Sequence, residues 1–112
     1  MVETPAITSG GKSNASSGAQ LRYSDDGRSG TIYYESPDAC FDMWYELADG
    51  TALAIIGLPP LKFWEAHTKI ALTNRDEVLQ FVGDQLIQDK LHGNGHFQVD
   101  QHDFLTIYYG KK

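Results

Sequence analysis

The chain has little cysteine, few basic residues and no long apolar run, and each scarcity excludes something. Its one cysteine, Cys40, has no partner for an internal disulfide and fits a reducing compartment. Lys and Arg total 9 against 15 Asp and Glu, a formal net charge of -6. With no Lys/Arg cluster, the chain lacks the phosphate neutralisation that supplies most nucleic-acid affinity, so no nucleic-acid partner is expected. The longest apolar stretch, 52–60, is far short of the roughly 20 residues that a membrane helix needs. The first residues carry neither a basic region nor an apolar run, so no signal peptide is read and the expected setting is soluble and cytoplasmic. There is no CxxC and no HExxH. The one dense glycine segment follows a helical pattern, whereas a phosphate loop precedes one.

Residues 1–20 lack aromatics and are rich in Ser, Gly and Ala. They offer too little to bury against the entropy of ordering, and read as a disordered tail. Residues 21–112 then make a single domain with enough chain for one core.

One stretch, 73–95, carries a helical signature. At about 100° per residue, Val78, Leu79, Val82 and Leu86 fall in one sector with Phe81 at its edge, and Ile87 falls outside it. Thr73 with Asp76, or Asn74 with Glu77, suggests a capping box, and Gly93 and Gly95 close the helix.

The remainder reads as strands: 21–24, 30–35, 40–47, a strand from 52 to Gly57-Leu-Pro-Pro60, then 96–99 and 105–109. In 40–47, Phe41, Met43, Tyr45 and Leu47 alternate with Asp42, Trp44 and Glu46. Asp49-Gly50 predicts a two-residue type I′ hairpin, opposing Leu47 to Ala52, Tyr45 to Ala54 and Met43 to Ile56. For the last two strands, a three-residue loop of Gln101, His102 and Asp103 pairs Val99 with Leu105 and Phe97 with Ile107. A two-residue loop would instead set Asp100 against Asp103, like charges face to face. The 62–70 segment reads as a strand with Trp64, Ala66, Thr68 and Ile70 on one face, or else as a short helical turn. TIYY occurs at 31–34 and again at 106–109, which suggests two strands meeting similar packing demands. The predicted fold class is α+β: an antiparallel sheet of about five or six strands with one long amphipathic helix packed on one face.

No catalytic set emerges. Glu65 and His67, side by side on a strand face, would make an acid–base pair if desolvated. Cys40 has no basic neighbour to activate it as a nucleophile. Asp89, His92, His96, Asp100, His102 and Asp103 gather in sequence near the helix end, and His with carboxylate suits a divalent metal. Gly93-Asn94-Gly95 separates the two histidines, however, and the commoner meaning of such a cluster is solvated loop polarity. The second face of the first hairpin is more unusual. Trp44, Leu53 and Ile55 lie there beside Asp42 and Glu46, where a solvent face should be mainly polar. The 62–70 segment or the strands of 21–36 would fold over it, or a partner would cover it, most simply a second copy.

The sequence therefore suggests a small acidic protein-binding module that acts through a sheet face and needs no cofactor. The alternative is a metal-binding protein or metal-dependent enzyme built on Asp89, His92, His96, His102 and Asp103.

Overall fold

Alternating side chains set the strands, and a computed structural model shows how they assemble. It describes residues 18–100 and 103–111. Six strands form one antiparallel sheet: β1 (Gln20–Asp26), β2 (Ser29–Glu35), β3 (Cys40–Leu47), β4 (Ala52–Gly57), β5 (Gly95–Asp100) and β6 (Phe104–Tyr109). Strands β1 to β4 make a meander, β6 joins the free edge of β4, and β5 lies outside it, giving the order β1-β2-β3-β4-β6-β5. The fold is α+β, as expected. Residues 1–17 of the anticipated tail lie outside the described residues; Ala19 packs against the core and Gln20 already pairs in β1.

The 17-residue helix α2 (Arg75–Leu91) covers one sheet face. Ile32, Tyr34, Met43, Ile56, Leu105 and Ile107 rise from that face and are nearly inaccessible. Removing each such side chain from water contributes about 1.5–3 kcal/mol before entropy is counted. TIYY recurs because β2 and β6 are both second from an edge, and both turn their isoleucine into the core.

Several expectations need correction. The helix buries Arg75, Val78, Leu79, Val82, Gly83, Leu86 and Ile87, so Ile87 belongs to the stripe. The stripe is wide because α2 meets the sheet centre on one side and the edge strand β5 on the other. Gly83, which has no side chain to announce that second flank, sits where a Cβ would come within 2.4 Å of the Phe97 ring. At the helix start, Asn74 makes no side-chain capping bond. The helix ends with His92 itself left-handed at φ 54°, followed by Gly93 at φ 87°.

The 62–70 segment is not a strand. A 3₁₀ turn (Leu61–Phe63) leads into α1 (Trp64–Thr68). Trp64 and Thr68 are buried and Ala66 is exposed, a spacing of four that belongs to a helix and not to a strand. Thr68 Oγ1 donates to the Trp64 carbonyl at 2.8 Å, and Lys69 caps the turn at φ 64°.

The first hairpin is shifted by two residues. Tyr45 opposes Ile56, Glu46 opposes Ile55 and Leu47 opposes Ala54, so residues 48–51 make the connection. Asp49 does not have the positive φ of a type I′ turn, and its carboxylate accepts from Arg28 at 3.2 Å. A two-residue shift keeps each side chain on its face, so the alternation stands although the partners change. At the next ladder Ala52 pairs with Tyr108 but Ala54 with Ile107, which leaves Leu53 in a bulge. The last hairpin has the expected register, with Val99 opposite Leu105 and Phe97 opposite Ile107.

Candidate functional site

The face of the sheet turned away from α2 is the unusual surface. Its residues follow from the register: Thr31 opposes Trp44, and Gly57 opposes Phe104. The Trp44 indole lies directly over Gly57, where a Cβ would come within 2.1 Å of the ring. A glycine on β4 thus lets the indole lie flat across the strand toward β6. There it meets Phe104 edge-on, with ring centroids 6.1 Å apart and an interplanar angle of 67°. Trp44 is 50% exposed and Phe104 39%. Among the described residues, no helix or strand lies across this pair. The β1 and β2 strands extend the same sheet instead of folding over it, and α1 sits at its end, with Trp64 packed edge-on to Phe41 at 5.7 Å.

The segment between β4 and α1 borders the platform. Gly57-Leu-Pro-Pro60 leaves the sheet, and the following turn holds Phe63 outward, 54% exposed. Trp44, Pro60, Phe63 and His67 line a groove of about 600 Å³. Asp42 lies on its wall, with a carboxylate oxygen 3.9 Å from His67 Nε2. Glu46 is exposed further along β3, opposite Ser29 and Ile55. Arg22 and Glu35 form an ion pair at 3.0 Å toward the β1 edge, and the Arg22 hydrogen bonds hold the Glu35 carboxyl below its ordinary pKa.

Of the five residues expected to share this face, the structure brings Asp42, Trp44, Glu46 and Ile55 together. Leu53 is turned by its bulge against the core, where it lines a cavity with Leu47 and Ala54. Phe104 and Phe63 complete the platform and carried no sequence signal, because only the β4–β6 pairing and the helical 61–68 turn bring them near Trp44.

The histidine and carboxylate residues are dispersed. Asp89 accepts from the Tyr23 hydroxyl at 2.6 Å and from Gln85 at 2.8 Å. His92 ends α2, and His96 stacks on Tyr108 at 5.0 Å while its Nδ1 lies 2.7 Å from the Gly110 carbonyl oxygen. Asp103 is at the far end of the β5–β6 hairpin, near enough to Arg75 to influence its charge. His102 lies outside the described residues. Among the described residues, no three His, Cys, Asp or Glu side chains gather as metal ligands. Glu65 and His67 are both exposed, and Glu65 accepts the Leu72 backbone N–H at 2.7 Å. Cys40 is a free, exposed thiol.

Where α1 meets α2, Arg75 is 4% exposed, with its guanidinium carbon 5.5 Å from the centroid of the buried Trp64 ring. Burial pulls the Arg75 pKa below its ordinary value, against the pull of Asp76 and Asp103. Among the described residues, no helix is long and apolar enough to cross a membrane. In comparisons with known proteins, the chain matches no family model, no curated protein and no solved structure.

Proposed function

We propose that the chain is a non-enzymatic protein-binding module whose open sheet face takes an extended partner segment, one that sets an apolar side chain beside a lysine or arginine. The observation that carries this reading is the Trp44–Phe104 platform, half exposed over Gly57 on the second face of a sheet. Exposed aromatic clusters on small domains mark interaction surfaces, and tryptophan is enriched among interface anchors. Asp42 and Glu46 flank the ring and set the sign of the partner's charge. The same charges disfavour a second copy, since a two-fold contact through Trp44 would bring two acidic rims together. The exposed thiol of Cys40 suits a module that works in a reducing compartment, consistent with a cytoplasmic setting.

Panning a random peptide library against the domain tests the reading. Enriched peptides should carry an aromatic or aliphatic anchor next to Lys or Arg. They should lose binding to Trp44→Ala and to Gly57→Ala, whose methyl would take the place of the indole. The Asp42→Asn/Glu46→Gln pair should weaken binding and flatten its salt dependence. Failure to enrich any such peptide, or binding indifferent to Trp44, would remove the proposal. A parent that sediments as a dimer dissolved by Trp44→Glu would assign the face to self-association instead.

A further inference from the structure

On the opposite side of the sheet, under the C-terminal half of α2, the core is not filled. A cavity of about 280 Å³ opens there, at the end of the sheet where the β1–β2 turn and the 48–51 connection meet. Its walls are apolar: Ile32, Ala54, Ile56, Leu86 and Ile107 are all buried core residues. Two features of the chain create the space. Ala54 puts a methyl group in the second layer of the sheet, and the bulge sets Leu53 to one side at the opening. Water gains little from such walls, because a buried water needs two to four polar partners. An engineered apolar cavity of roughly 150 Å³ binds benzene. This one has nearly twice that volume, the size of a fused two-ring molecule.

The mouth is polar and carries both signs of charge. The Tyr45 hydroxyl donates to the Asp25 carboxylate, which leaves oxygen lone pairs of both groups as acceptors. Across the opening, Lys90 Nζ sits 4.2 Å from the centroid of the Tyr23 ring and supplies a donor. A carboxylate head group would approach Asp25 and an ammonium head group would approach Lys90. A hydroxyl, which donates and accepts at once, meets both. Mostly apolar walls with a few convergent polar groups are what small-molecule sites share.

We propose that this cavity binds an uncharged aromatic or alicyclic molecule of about two fused rings, with a single hydroxyl held between Asp25, Tyr45 and Lys90. This site is separate from the platform on the other face, and the two readings stand or fall independently.

The probe is 2-naphthol, titrated into methyl-labelled protein and followed by NMR and calorimetry. Saturable binding should shift the methyl signals of Ile32, Ile56 and Ile107. Naphthalene-2-carboxylate and 2-naphthylmethylammonium, both charged at neutral pH, should bind more weakly than the alcohol. Ala54→Leu fills the space and should lower affinity by at least about tenfold, as extra methylenes do in an apolar pocket, while the protein stays folded. Should that variant fail to fold, the methyl map of the parent decides alone. The proposal is overturned if those isoleucines do not move up to the solubility limit of 2-naphthol. Shifts confined to the Trp44 face, or a folded Ala54→Leu that binds as well as the parent, would overturn it too.

Discussion

Gly83→Ala sets two known effects against each other. In mid-helix, alanine is favoured over glycine by about 1 kcal/mol, because glycine loses more backbone freedom on folding. At this site the new methyl would lie 2.4 Å from Phe97 Cδ1 and Cε1 and 2.7 Å from Cγ. Cγ is one bond from the Cβ of an edge-strand residue, so the ring cannot step aside by turning its tip. Either χ1 of Phe97 leaves its rotamer or β5 moves away from α2. Overpacking of this kind costs about 1–3 kcal/mol. The clash should win, for a net loss of about 1 kcal/mol, equivalent to roughly 4–8 °C in a domain of this size. Urea unfolding followed by circular dichroism measures it. The mechanism makes a second demand: in a Phe97→Ala background the obstacle is gone, so Gly83→Ala should stabilise by about 1 kcal/mol. A Gly83→Ala protein more stable than the parent would refute the argument. So would equal effects in both backgrounds.

Leu86→Ala and Ile87→Ala should both be costly, at about 2–5 kcal/mol each, since both side chains are buried in the wide stripe; a near-neutral Ile87→Ala would return that residue to the surface. Alkaline pH probes the tyrosines. Burial first, and then the hydrogen bond to Asp25, pushes the Tyr45 hydroxyl up to about 12, and burial with Asp89 raises Tyr23 as well. The neutral forms are therefore favoured in the folded state. Their contribution is complete below the unfolded value of about 10 and is lost as the pH climbs toward 12. The urea midpoint should fall across that window and fall less steeply in Tyr45→Phe; a flat profile would contradict the assignment.

Local pattern and long-range pairing differ sharply in how much of this molecule they reveal. The β3 strand is legible because Phe41, Met43 and Tyr45 alternate with Asp42, Trp44 and Glu46, and its burial follows the same alternation. The β5–β6 register is legible because only one loop length separates Asp100 from Asp103 in the ladder. The first hairpin misled because Asp49-Gly50 is a strong turn signal overridden from outside it, by Arg28 reaching across from the neighbouring turn and by the bulge at Leu53. The second flank of α2 was hidden because a glycine marks it. Trp64 and Thr68 fit both a period of two and a spacing of four, and Pro59-Pro60 ahead of them should have favoured the turn. Of the candidate site, the surplus of Trp44 and Ile55 on a nominal solvent face could be read directly. Phe104, Phe63 and the cavity above Ala54 could not, since each depends on elements that meet only once β6 has paired with β4.

That pairing has a consequence for how the protein is made. During synthesis β1 to β4 emerge first and can pair as a meander, which leaves the Ala-Leu-Ala-Ile-Ile sequence of β4 as an open edge. Its ladder partner emerges only after both helices and β5, at a ribosomal pace of about 5–20 residues per second. For that interval a nearly neutral, β-prone edge stands unpaired, the kind of template on which chains join one another. The native sheet hides this strand in its interior, but the growing chain exposes it, and the hazard is greatest just before β6 arrives.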